Sequence, residues 1–320
     1  MILTFTPNPS IDSTIELSEA VQPGNVHRAC RVIQQPGGKG VNVAAAVHLA
    51  QRPTLALFPA NDNDIFLHLV KESGLPFHNL PMSEGVRVNT TVTDPEGVTT
   101  KLNGPGPQLK PELADELKRT LVNKAHDASW VVLAGSLPGG VSESWYSDLI
   151  AALRAEVPDV RIALDTSDGP MRAVANELHR AAPDVIKPNG MELGQLAGVD
   201  GLALEHAAAT GDYEPVISAA RLVVARGIPE VLVTLGAAGA VLVTADNAWI
   251  ATPPPSEVRS TVGAGDAALA GYILARSSNE DYPAALARSV AYGTAATALP
   301  GTQFPSPDGL DIAGTVVTPE

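Results

Sequence analysis

Residues 260–271 read "STVGAGDAALAG" and place a carboxylate where an anion would otherwise bind. Gly263-Ala264-Gly265 has the look of a turn of bare backbone N–H groups opening a helix, an arrangement that attracts anions. Asp266 follows at once. Phosphoryl transfer gives both parts a role: N–H donors for the charge developing on the phosphate, and a base for the proton of the incoming hydroxyl. Two other readings fit the same residues. A helix N-terminus favours Asp through its dipole, and Gly263, Gly265 and Ala268 satisfy the dinucleotide fingerprint G-x-G-x-x-G/A. Context weighs against the fingerprint. The preceding "PPPSEVRST" makes a poor first strand, and Glu280 and Asp281, about 20 residues on, come before a helix and not after a strand.

Three more segments carry polar groups at suggestive places. "PGGKGVNVA" (36–44) is a glycine-rich turn running into a helix, with Lys39 for charge and Asn42 able to donate and accept. It lacks P-loop spacing, and a plain helix-opening turn fits it as well. "KPNGMEL" (187–193) clusters Lys187, Asn189 and Glu192 just past a strand's carboxyl end, where open α/β sheets bind ligands. A carboxylate and an amide there could hold Mg²⁺ through its water shell. Taken alone, the segment reads first as a helix cap with a capping box. In "VTLGAAGAVLV", Gly236 and Gly239 read as a hairpin turn, or as a flat wall beside a nucleotide.

The elements that must position these groups follow from hydrophobic patterning. Short apolar runs ("ILTF", "TLALF", "WVVLAG", "VRIALD", "DVIKP", "EVLVTLG", "AVLVT") alternate with amphipathic stretches such as "PELADELKRTLVNKA" and "SESWYSDLIAALRAE". Alternation of this kind predicts a mainly parallel sheet covered by helices on both faces. Segments 11–35 and 85–103 break the alternation, and "DPEG" between "NTTVT" and "VTTKL" predicts a hairpin. The two segments are expected to meet as one small sheet over the strands' carboxyl ends, excluding water. No linker divides the chain, so a single domain over 1–320 is expected.

Composition narrows the function. Lys and Arg number 21 against 35 Asp and Glu, a formal charge of −14. Such a surface repels nucleic acid and anionic lipid but leaves room for a local basic pocket. Aromatics are 4%, too few for a base- or sugar-stacking surface. A lone cysteine, Cys30, excludes an internal disulfide and a cysteine metal cluster. The N-terminus shows no secretory pattern and no apolar run approaches the roughly 18 residues of a membrane span. A cytoplasmic protein with no nucleic-acid or membrane partner is expected.

Taken in order, "TPNPSID", "PGGKGVNVA", "AGSLPGGV", "KPNGMEL", "VTLGAAGA" and "STVGAGDAALAG" resemble the ribokinase-like (PfkB) sugar kinases over nearly the whole chain. "NPSID", "GGKG", "RVNTTV" and "TKLNGPGP" are most similar to its 1-phosphofructokinase and tagatose-6-phosphate kinase branches. The resemblance implies a three-layer α/β/α sandwich with a β-sheet lid, and an enzyme that uses ATP and Mg²⁺. It implies Asp266 as catalytic base with Gly263, Ala264 and Gly265 as anion hole. Asp12, Gly38 and Asn42 match positions that hold sugar hydroxyls. Lys39 and Arg87 match a site for a phosphate already on the sugar, with Ser136 near it and Arg28 and Lys101 as weaker candidates. Lys187, Asn189 and Glu192 match the group that organises Mg²⁺ and the nucleotide phosphates, with Glu192 reaching the metal through water. Thr234, Gly236 and Gly239 match a nucleotide-contacting loop. The implied reaction is phosphorylation of a ketohexose phosphate, first fructose 1-phosphate to fructose 1,6-bisphosphate. Tagatose 6-phosphate and fructose 6-phosphate are the alternative acceptors, and a non-catalytic sugar-phosphate sensor is the alternative of another class. The lid also implies a homodimer. Two departures, Ala267-Ala268 after the base and "LPGG" for the usual "LPPG", remove no group the chemistry needs.

Overall fold

The computed structural model describes residues 1–320. Its strands are β1 (Ile2–Phe5), β2 (Ser10–Leu17), β3 (Ala29–Gly37), β4 (Thr54–Ala60), β5 (Phe77–Pro81), β6 (Arg87–Thr93), β7 (Thr99–Asn103), β8 (Trp130–Ala134), β9 (Arg161–Asp165), β10 (Val185–Ile186), β11 (Glu230–Thr234), β12 (Ala240–Val243), β13 (Ala248–Thr252) and β14 (Val316–Pro319). Ten of them form the main sheet, in the order β14-β13-β12-β11-β10-β9-β8-β1-β4-β5. From β5 through β11 every pairing is parallel; β12, β13 and β14 extend the sheet antiparallel.

Period-two alternation assigns each strand residue to one of two cores. Leu3, Phe5, Val131, Leu133, Ile162 and Leu164 pack with the helices Pro111–Ala125, Trp145–Glu156 and Glu214–Ala225. Ile2, Trp130, Val132, Ala134 and Ala163 pack on the other face with the helices Lys39–Leu49, Ala264–Ser277 and Tyr282–Thr297. Because both faces are covered, the strands read as continuous apolar runs and not as alternating ones. That makes the three-layer sandwich expected from the sequence. The antiparallel edge arises from tight returns: Gly239, at φ 89°, turns β11 directly back into β12 without a crossover helix. Strands β5, β13 and β14 went unread because they are short and, as in "FHNLP", mix polar residues into the run.

The second sheet, in the order β3-β2-β6-β7, is the expected lid. Its β6–β7 hairpin closes at "DPEG", where the Gly97 N–H donates to the Asp94 carbonyl at 3.0 Å and the Val98 N–H to Asp94 Oδ1 at 2.8 Å. One face carries Asp12, Gln35 and Asn89 in register; the other carries Ile15, Val32, Val88 and Leu102, the last three exposed. No helix is long and apolar enough to cross a membrane.

Candidate active site

Functional groups gather where the parallel strands end, as open α/β sheets direct. Gly263 adopts φ 79°, the left-handed region suited to glycine, and caps the helix Ala264–Ser277. Asp266 is the third residue of that helix, so its carboxylate stands beside first-turn N–H groups that have no intrahelical partner. It is buried, and Asn42 Nδ2, from the helix Lys39–Leu49, donates to its Oδ2 at 2.7 Å. Burial, then the nearby Asp165 carboxylate, pushes the Asp266 carboxyl up to about 6, against the pull of Lys39, Asn42 and Lys187. A carboxyl tuned toward neutrality is suited to accepting a proton at working pH.

Asp165, which sequence reasoning passed over, holds the centre of the site. It ends β9 fully buried, with Lys39 Nζ at 2.6 Å on Oδ1 and Lys187 Nζ at 3.1 Å on Oδ2. Burial works against its charge, yet the two ammonium groups outweigh burial and hold its carboxyl below the usual range. Burial likewise opposes the Lys39 charge, but Asp165, Asp266 and Glu192 together raise its pKa. Lys187 is buried, and a Cβ added at Gly265 would lie 3.3 Å from its Nζ. The glycine turn is therefore backed by a cation. The available signal was the lone Asp closing the apolar run "VRIALD" at a strand's carboxyl end.

On the small sheet, Asp12 accepts from Ser10 Oγ at 2.8 Å and from Asn89 Nδ2 at 3.1 Å. Burial raises its pKa, partly offset by those two bonds and by Arg87. Gly37 makes room for it: a Cβ there would meet the Asp12 carboxylate. Gly38, at φ 110°, starts the helix that carries Lys39 and Asn42. Arg87 begins β6, half-buried, and forms no ion pair; its Nε is buried without a partner, and burial lowers its pKa despite the field of Asp12. Ser136 lies two residues past the end of β8, where Asn8 Nδ2 donates to its Oγ at 3.1 Å. The amide oxygens of Asn8, Asn42 and Asn89 are buried acceptors with no partner in the protein. Arg28, just before β3, and Lys101, on β7, are exposed and join neither cluster.

A cavity of about 780 Å³ lies beside the turn, lined by Asn189, Thr234, Gly236, Gly239, Ala264 and Gly265 among others. Glu205, the proline run 253–255 and Thr294 also line it and carried no signal in sequence. Asn189 and Glu192 form the full capping box: Asn189 Oδ1 accepts from the Glu192 N–H at 2.8 Å, and Glu192 Oε2 from the Asn189 N–H at 2.9 Å. The hairpin reading of Gly236–Gly239 also holds, and the same turn forms a cavity wall. No three His, Cys, Asp or Glu side chains converge as a metal cage.

The sequence profile described as pfkB family carbohydrate kinase matches residues 6–309. The chain belongs to this family of carbohydrate kinases. The 1-phosphofructokinase of Rhodobacter capsulatus is 34% identical over 99% of this chain and 96% of its own. The 1-phosphofructokinase of Xanthomonas campestris is 35% identical, covering 85% and 83%. Among solved structures, Escherichia coli phosphofructokinase-2 in complex with substrates and products aligns with a TM-score of 0.84 and 28% identity over 96% of each chain. Thermotoga maritima ribokinase, at 18% identity and a TM-score of 0.73 over 97% of each chain, shares the fold. The pfkB chain described here is thus a phosphotransferase acting on a sugar hydroxyl, with sugar-phosphate kinase activity.

Proposed function

We propose that this kinase transfers the γ-phosphoryl group of ATP to fructose 1-phosphate, giving fructose 1,6-bisphosphate and ADP. Asp266 takes the proton of the acceptor hydroxyl. The hydroxyl oxygen bonds to the γ-phosphorus as the bond to the β–γ bridging oxygen breaks. The first-turn N–H groups and Lys187 face the charge on the transferring group, and the cavity walled by Gly236 and Gly239 takes the nucleotide. Asn189 and Glu192 would meet Mg²⁺ through its waters; when bound, that ion offsets charge on the β- and γ-phosphates. Asp12 and the free amide oxygens of Asn42 and Asn89 take sugar hydroxyls.

The observation that carries a phosphorylated acceptor is Arg87, a half-buried cation with no carboxylate partner and a stranded Nε. A buried charge left unpaired is costly unless a ligand supplies the counter-charge, and a guanidinium suits a phosphate. Lys39 is the less direct indicator, because Asp165 already holds its ammonium. Arg87→Ala is expected to raise KM for the sugar phosphate by about 30-fold or more, the worth of a charge-assisted hydrogen bond. KM for ATP should stay near that of the parent enzyme. Steady-state kinetics with each substrate varied decides it; equal rises in both KM values would remove Arg87 from the phosphate site.

The exposed Val32, Val88 and Leu102 on one face of the small sheet support a homodimer through the lid. Solved relatives include a tetrameric inhibited form of the Escherichia coli phosphofructokinase-2, 26% identical. Sedimentation equilibrium is expected to show a dimer or larger assembly, and a Val88→Glu variant to dissociate it. A monomer at micromolar concentration would contradict this.

A further inference from the structure

Gln35 sits on β3 opposite Asp12 of β2, among the sugar-side groups. Its side-chain oxygen accepts two hydrogen bonds from one distant residue, the Thr302 N–H and the Thr302 hydroxyl, each at 3.1 Å. Thr302 is buried, in the segment after the helix Tyr282–Thr297. Gly301 just before it adopts φ 63°, left-handed backbone that favours glycine, and a Cβ there would lie 2.9 Å from Gln35 Oε1.

The other side of Thr302 faces the phosphoryl-transfer turn. A Cβ placed on Gly263 would lie 3.7 Å from Thr302 Cγ2 and 3.4 Å from the Phe304 ring. At the start of the same segment, the Thr297 carbonyl accepts the N–H groups of Arg259 and Ser260, at 2.7 and 3.1 Å. Residues 297–304 thus hold the approach to Gly263 at one end and pack on Gly263 at the other. One side chain in that segment is bonded to the lid.

We propose that Thr302, held by Gln35, is a positioning residue that registers the sugar-side sheet against the Gly263–Asp266 turn. The proposal rests on the kinase reading. In-line transfer requires the acceptor hydroxyl, carried by groups of the lid, to meet the anion hole and base, carried by the glycine turn. A misplacement of about 1 Å between reacting groups costs on the order of 10²-fold in rate. The small sheet also joins the main body through its chain connections and by packing on the helices Lys39–Leu49 and Ile65–Glu72, but the Gln35–Thr302 bonds tie it to the segment that packs on Gly263.

Three variants test this, with thermal melting as the check on folding. Gln35→Leu, which strands both Thr302 donors, is expected to lower kcat about 10–100-fold while KM for ATP stays within about twofold. Thr302→Val keeps the shape and loses one bond, and should lose several-fold in kcat; Thr302→Ser restores the hydroxyl and should recover most of the rate at a similar Tm. Parental kcat in a folded Gln35→Leu enzyme overturns the proposal. So does a Thr302→Ser enzyme as slow as Thr302→Val, or a loss confined to KM for ATP. If Gln35→Leu does not fold, the Val–Ser pair decides alone. If the parent enzyme transfers no phosphate from ATP to any sugar phosphate, the kinase reading fails first and the latch with it.

Discussion

Asp266→Asn lowers kcat by about 10²–10⁴-fold, the usual worth of a general base, with both KM values near those of the parent. The substitution keeps size, burial and a hydrogen bond to Asn42, and removes the negative charge and with it the ability to accept the proton. Turnover near the parental level would end the assignment of Asp266 as base. The same variant is expected to be the more stable protein at neutral pH. The Asp266 carboxyl is raised to about 6 by burial and by Asp165, so its favourable contribution is present below the unfolded value near 3.8 and is lost as pH rises through about 6. Above that, the ionised group costs on the order of 3 kcal/mol. The stability gap between variant and parent should therefore open between about pH 4 and pH 6 and stay level above it, which denaturant titration at several pH values will read.

Asp165→Asn is expected to cost about 3–5 kcal/mol of stability at pH 7, the range for removing one partner of a buried ion pair. Lys187 would be left buried opposite a neutral amide, and Lys39 would lose its nearest counter-charge. The sign follows from the depressed Asp165 carboxyl: its contribution is present above the unfolded value near 3.8 and is lost as pH falls through the lower folded value. The parent should therefore shed this advantage only in acid. A second effect separates Asp165 from an ordinary structural ion pair. Its negative charge helps raise Asp266, so the acid limb of kcat/KM, expected near pH 6 in the parent, should move to lower pH in the variant. An unchanged limb with a large drop in Tm would make Asp165 structural alone.

Much of this was legible because most motifs sit on turns that open helices, where local sequence fixes both conformation and chemistry. The Asn189–Glu192 box is of that kind, contiguous with its bonds closed within three residues; the Gly263–Asp266 turn is contiguous too, although the Asp266 carboxylate takes its hydrogen bond from distant Asn42. Asp165, Glu205 and Thr302 were not legible, since their partners lie far off in the chain. Nothing near "VRIALD" announces two lysines arriving from residues 39 and 187, and nothing near "LPGTQF" announces Gln35. Lys39 shows the same limit from the other side. Its motif marks it as a charge at the start of a helix, but only the fold reveals that a buried carboxylate holds it. The parallel centre of the sheet came from continuous apolar runs, while the antiparallel edge depended on a two-glycine return that local patterning also allows between parallel neighbours.

The most direct measurement is ATP consumption by the parent enzyme across fructose 1-phosphate, fructose 6-phosphate, tagatose 6-phosphate and unphosphorylated fructose, expressed as kcat/KM. Fructose 1-phosphate is expected to lead and free fructose to trail by about 10²-fold or more, since it cannot supply the phosphate that Arg87 awaits. Equal or better use of free fructose, or no turnover of any phosphorylated ketohexose, would contradict a kinase built around that unpaired cation.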